Sequence, residues 1–212
     1  MNEPYKVVLS GGEAETELKK SRFIAHVCPV NSEEEAQNFV SRMKKEYYDA
    51  RHNCYAYVLG KDGDKVKYSD DGEPAQTGGL PIFNVLKETA VRNVCIVVTR
   101  YFGGTLLGAG PLARMYSDAA KLGLEASTIG EMRYGITAVV RSDYPDGEKI
   151  RRYFENNDIE VVDISYANDV SFAIRCGFDD FDKIKADIVT MSASRAVTEK
   201  TGEEYYTISK GR

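Results

Sequence analysis

Apolar residues recur with two different periods along this chain, and each change of period marks an element boundary. Residues 5–9 alternate as a short strand. Residues from roughly 15 to 29 form a longer extended stretch, with Phe23, Ala25 and Val27 on one face and Ile24, His26 and Cys28 on the other. Helical spacing begins at Asn31-Ser32-Glu33-Glu34-Glu35. There Ser32 can cap, and Glu35 three residues on completes a capping box ahead of Phe39, Val40 and Met43, so a helix is predicted to about Tyr47. Residues 52–59 and 65–69 alternate again around Lys61-Asp62-Gly63-Asp64, a hairpin signal because Asp-Gly accepts the turn that matches strand twist. A helix over about 78–90, a buried strand over 93–99 and a helix over 108–125 complete this half. Gly103, Gly104 and Gly108 punctuate the last connection.

After Glu131 the pattern becomes strand 132–141, helix 145–157, strands 159–166 and 169–177, helix 179–192 and strand 196–208. That β-α-β-β-α-β order is the split βαβ, ferredoxin-like arrangement. Tyr166-Ala167-Asn168-Asp169 supplies its central hairpin, and Asp179-Asp180 sets negative charge at the positive end of the second helix. The expectation is an α+β chain of two domains, residues 1–130 and 131–212.

Composition narrows the function classes. A chain of 212 residues with 42% hydrophobic and 29% charged content builds one or two cores and is not a disordered polymer. It has no apolar run near the roughly 20 residues that span a bilayer, and it begins without a signal-peptide layout, which predicts a cytoplasmic protein with no membrane partner. Cysteines 28, 54, 95 and 176 show no Cys-x-x-Cys spacing, as suits reduced core thiols.

The net charge of -5 excludes nucleic-acid binding over the whole surface. Residues 1–130 carry 16 basic and 17 acidic side chains, and residues 131–212 carry 12 and 16, so any basic patch belongs to the first half. Its raw material is Lys19, Lys20, Arg22, Lys44, Lys45, Arg51, Arg100 and Arg114, although such charges also serve as a plain solvated surface. Nothing points to DNA specificity.

Candidate chemistry concentrates between residues 50 and 116. His52 and Cys54, two apart on a strand, share a face, where they form either a thiol–imidazole pair or a packed thiol beside a hydrogen-bonded ring. His26 and Cys28 repeat that spacing, so a Cys2His2 zinc set is one combination, but no metal or cofactor is assigned. Asp70, Asp71 and Glu73 suit acid–base work or magnesium, and equally a tight turn in which Asp side chains bond nearby amides. Arg100-Tyr101-Phe102-Gly103-Gly104 ends a buried strand. Arg100 can clamp an anion, the glycines let backbone amides approach it, and Tyr101 and Phe102 can stack a base; the competing reading is a tight turn with aromatic packing. The spacing is neither a Walker A loop nor a dinucleotide fingerprint.

Ser21-Arg22-Phe23-Ile24-Ala25, Arg51-His52-Asn53-Cys54-Tyr55-Ala56, Ser69-Asp70-Asp71-Gly72-Glu73-Pro74 and Arg100-Tyr101-Phe102-Gly103-Gly104 with Leu107-Gly108 together resemble the YigZ/IMPACT family. The resemblance extends over nearly the whole chain. Ala109-Gly110-Pro111-Leu112-Ala113-Arg114 departs from the family pattern, and Pro111 removes one backbone N–H there. The resemblance implies an Impact-like N-terminal domain, a ribosomal-protein-like βαβ sandwich, followed by a ferredoxin-like domain. It further implies a role in regulation of translation, since the eukaryotic IMPACT branch is associated with control of initiation through a stress-kinase activator. The lack of a complete nucleophile–base–oxyanion set or metal signature in the sequence favours a non-enzymatic role. The expected partner is RNA, the ribosome or a translation-associated protein, engaged by Arg51, His52, Arg100, Tyr101, Gly103, Gly104 and Arg114. The alternative is a small enzyme for a phosphorylated or peptide-like substrate, with His52 as acid–base and Asp70, Asp71 or Glu73 orienting it.

Overall fold

Strands covered on both faces are apolar at nearly every position, and two strands with such stretches, His52–Leu59 (apolar from Cys54) and Val94–Tyr101 (apolar to Val98), lie side by side in a five-stranded sheet. The computed structural model describes residues 3–157 and 159–208. Two compact units emerge, Tyr5–Glu131 and Met132–Ile208, the second joined by residues 3–4.

The first unit runs β1 (Tyr5–Ser10), β2 (Glu13–Leu18), β3 (Ser21–Pro29), α1 (Glu33–Glu46), β4 (His52–Leu59), β5 (Lys65–Ser69), α2 (Gly79–Thr89), β6 (Val91–Arg92), β7 (Val94–Tyr101) and α3 (Ala109–Glu125). Its sheet has the order β2-β3-β7-β4-β5 with antiparallel neighbours, and β1 pairs in parallel with β6. Side chains alternate across that sheet. Phe23, Ala25, Cys54, Ala56, Val58, Ile96 and Val98 meet α2 and α3, while Tyr55, Tyr57, Leu59, Cys95 and Val97 meet α1.

One extended stretch proves to be two strands. Residues 13–29 fold back on themselves at Lys19-Lys20, both with positive φ (50° and 63°), and Leu18 faces Ser21 across the two-residue turn. Such a turn normally announces itself by Asn-Gly or Asp-Gly; two lysines give no signal. The α1 cap follows the sequence, with Ser32 Oγ accepting from Glu35 N–H at 3.1 Å, although the Glu35 carboxylate reaches Asn31 N–H at 2.8 Å rather than that of Ser32. Pro111 falls in the first turn of α3, where its missing N–H has no helical acceptor to lose.

The second unit contains β8 (Thr128–Ser142) from Met132 onward, α4 (Tyr144–Asn156), β9 (Glu160–Tyr166), β10 (Val170–Gly177), a 3-10 turn (Phe178–Asp180), α5 (Phe181–Met191) and β11 (Val197–Ile208). Its strand order β9-β10-β8-β11 is the split βαβ sheet, with α4 and α5 on the face bearing Ile136, Ala138, Val140, Phe172 and Ile174. Asp179 and Asp180 lie in the 3-10 turn, one step ahead of α5. Asp143 caps α4 by accepting from Asp146 N–H at 2.9 Å, and the buried Asp146 carboxylate accepts from Lys149 and Arg195, tying α4 to the segment before β11. Among the described residues no helix is long and apolar enough to cross a membrane.

Candidate functional site

The Asp70–Glu73 segment is a tight turn, closed by Glu73 N–H donating to Asp70 C=O at 2.9 Å, with positive φ at Asp71 and Gly72. Its three carboxylates all point into local partners. Asp70 accepts from the N–H groups of Gln76, Gly78 and Gly79 at 2.8–2.9 Å, which satisfies the otherwise open start of α2. Asp71 accepts from Asn53 N–H at 2.7 Å and pairs with Lys44. Gly78 sits so close to β4 that a Cβ there would lie 2.4 Å from Cys54 Sγ.

Glu73 reaches inward between sheet and helix. Its Oε1 accepts from Arg100 Nη1 at 2.7 Å and from the Tyr116 hydroxyl at 2.8 Å, with the Glu73 side chain 3% exposed and that of Arg100 8%. Arg100 is brought there by register. It lies opposite Phe23 on β3 and His52 on β4, so it projects from the α2/α3 face of the sheet. The guanidinium rests 5.5 Å from the Phe23 ring centre and 5.7 Å from that of Phe102, and its Nε is buried without a partner.

His52 completes the cluster from the rim. Its Nδ1 lies 2.9 Å from Asp71 C=O, so this nitrogen carries a proton and donates, leaving Nε2 turned toward Glu73 Oε2 at 3.9 Å. The Cys54 thiol donates to Asp70 C=O at 2.9 Å; burial pushes its pKa far above the ordinary thiol range and keeps it protonated. Burial likewise raises the Tyr116 hydroxyl. Tyr116 was not legible as a site residue. Its signal is a phenol on the apolar stripe of α3, with Leu112, Met115 and Ala119, where a buried hydroxyl requires a partner.

The remaining sequence candidates disperse. Tyr101 points to the α1 side, where its hydroxyl donates to Asp49 at 2.8 Å and Arg22 lies over its ring, so it does not stand beside the Arg100 charge. Arg51 and Arg114 are exposed. Gly103 N–H donates to Ser21 Oγ at 3.0 Å, and a Cβ on Gly103 would come within 2.1 Å of the Lys20 backbone, so the glycine welds this loop to the Lys19-Lys20 turn. Gly104 is exposed, with nothing within 4 Å of a Cβ built on it.

The two His-x-Cys strands do not meet. β3 and β4 lie on either side of β7, and His26 and Cys28 face α1 whereas Cys54 faces α2 and α3. Opposite faces of a sheet cannot share one tetrahedral ion, and among the described residues no three His, Cys, Asp or Glu side chains gather as a metal site.

Comparison with known proteins gives consistent results along the length. The Impact N-terminal domain matches residues 19–124, and a domain of unknown function, DUF1949, matches residues 140–195. "IMPACT family member YvyE" of Bacillus subtilis is 39% identical over 168 residues, covering 79% of this chain and 77% of that protein. "Protein IMPACT homolog" of Dictyostelium discoideum is 41% identical over 101 residues, 46% of this chain and 28% of that one. A solved structure titled "Crystal structure of an hypothetical protein" superposes with a TM-score of 0.61 at 27% identity, over 95% of this chain and 99% of its own.

Proposed function

The chain belongs to the IMPACT family, and from that premise we propose that it is a non-enzymatic binding protein of the cytoplasmic translation apparatus, engaging RNA, the ribosome or a translation-associated protein. One observation carries this reading. The groups that would perform chemistry are bonded to one another: Asp70 to three amides, Asp71 to Asn53 and Lys44, Glu73 to Arg100 and Tyr116, and Cys54 to a carbonyl. A network satisfied in this way holds a surface rigid rather than leaving a nucleophile and base ready to react. Beside it the chain exposes Phe102 (44%) and Leu106 (84%) on a glycine-rich loop, apolar groups whose exposure suits a partner.

The test is sedimentation of the purified protein with ribosomal subunits, and capture of total RNA and purified translation factors, over a salt series. Association with any of these supports the reading; none at low salt overturns it. The enzyme reading keeps one favourable observation, His52 Nε2 facing Glu73 Oε2, with the His52 side chain 20% exposed. Turnover of a phosphorylated or peptide-like substrate that disappears in His52→Ala would establish it in place of the binding reading.

A further inference from the structure

Lys19 and Lys20 occupy the two central positions of a hairpin turn that demands positive φ at both, where side chains other than those of Gly, Asn and Asp are disfavoured. Residues kept in a costly backbone conformation direct attention to what their side chains do. Neither ammonium group has a carboxylate partner among the described residues, in contrast to the neighbouring Arg22, which forks onto Glu15. The turn is also not isolated. Gly103 lies against the Lys19-Lys20 backbone and is hydrogen-bonded to Ser21, so the start of the 102–108 loop is anchored to the turn.

Phe102 stands on that surface. Its ring is backed by the Arg100 guanidinium, a cation held in place by Glu73 and carrying a buried Nε with no partner of its own. A half-exposed aromatic ring, one residue from the glycine that packs against a turn carrying two lysines with no carboxylate partner, combines the two groups that single-stranded nucleic acid uses, bases stacking while phosphates meet the charges. A duplex hides its base faces from such a ring. Among the described residues the second unit offers no equivalent on the sheet face turned away from α4 and α5. Arg175 is tied there to Glu160 and Glu204, and Arg141 to Glu199.

We infer that the Lys19-Lys20 turn and the 102–108 loop form a docking surface for single-stranded RNA, with the lysines on phosphates and Phe102 stacked on a base. This names the ligand class of the binding function proposed above, and rests on it.

The test uses a short fluorescent oligouridylate with the full chain, read by anisotropy over a salt series, comparing wild type, K19N/K20G and Phe102→Ala. The K19N/K20G variant keeps the turn, because Asn-Gly prefers it, so thermal melting no lower than wild type separates lost binding from lost fold. Wild type binds, and the binding weakens with salt. K19N/K20G binds more weakly and its log–log salt slope is shallower by about 1.4, the counterions of two phosphates on a single strand. Phe102→Ala binds about five- to a hundredfold more weakly with its slope unchanged. Equal binding by all three proteins overturns the assignment of this surface. No oligouridylate binding, with ribosomal subunits or a translation factor still captured, overturns the RNA assignment and leaves the translation reading standing; capture of nothing removes both.

Discussion

Arg100 Nη1 donates to Glu73 Oε1 at 2.7 Å in a place where neither side chain has more than a sliver of exposure. The pair joins the central strand β7 to the turn after β5, and Tyr116 adds a helix to the same oxygen. Removing one member strands the other's charge in a medium that solvates it poorly. Glu73→Ala is therefore expected to cost about 3–5 kcal/mol, whereas the double replacement Glu73→Leu with Arg100→Leu costs much less than the sum of its parts. Urea melts of the two single variants and the double give the coupling directly, and additive losses would refute it. The same geometry makes Arg100→Ala a test of stability before it is a test of binding.

A second consequence concerns the start of α2. A methyl group at Gly78 would sit 2.4 Å from Cys54 Sγ and 3.0 Å from its Cβ, inside a fully packed corner. Gly78→Ala should cost about 1–3 kcal/mol through overpacking. Because the nearest obstruction is the Cys54 sulfur, Cys54→Ala in the Gly78→Ala background should restore part of that loss. Denaturant midpoints of the four proteins decide it, and a Cys54→Ala change that makes Gly78→Ala worse would place the strain in the backbone instead.

Those two sites also explain what could be read from the sequence. Elements with their own local signals were legible: the Ser32–Glu35 cap, the Asp-Gly hairpin that joins β4 to β5, and the buried apolar run that begins β7. The hairpin at Lys19-Lys20 was not, since lysine carries no turn preference and the conformation is imposed by β2–β3 pairing. At the site, Glu73 and Arg100 stood out as costly charges, but their union is a tertiary fact spanning a strand, a turn and a helix. Tyr116 and the separation of Tyr101 from Arg100 depend on which face each side chain takes, and alternation assigns Tyr101 correctly only once Arg100 is known to face α2 and α3. The stacking pair expected at residues 101 and 102 thus reduces to Phe102.

Acid should weaken the first unit through His26. Burial holds this imidazole below its ordinary value, against smaller upward pulls from Glu13 and Glu46. As a neutral ring it donates from Nδ1 to Glu13 Oε2 at 3.1 Å, beside the Tyr47 ring, and its Nε2 is buried without a partner, so a second proton there would have no acceptor. The unfolded chain binds a proton near pH ~6.5 that the folded chain declines. Stability from this source is complete above that value and falls as pH drops through it, by at most about 1.4 kcal/mol per pH unit. His26→Gln should flatten the difference between about pH 5 and 7 in paired urea melts. A pH profile the same in His26→Gln as in the wild type would show that His26 takes up its proton equally in the folded and unfolded chains.

The K19N/K20G variant should be more stable than the wild type, even as it binds its proposed ligand more weakly. Each lysine held at positive φ costs about 1 kcal/mol relative to a residue that adopts that region freely, and two adjacent ammonium groups repel one another. Against this, glycine at position 20 gives the unfolded chain more freedom, a loss of about 0.5–1 kcal/mol. The balance is a gain of roughly 1–1.5 kcal/mol, visible as a higher urea midpoint with an unchanged slope. Gly103 gives the result a second meaning, because it rests on the Lys20 backbone and not on either side chain, so the substitution leaves that contact in place. If the variant melts lower instead, the lysine stems are supporting the loop by packing, and their retention at a disfavoured turn is structural.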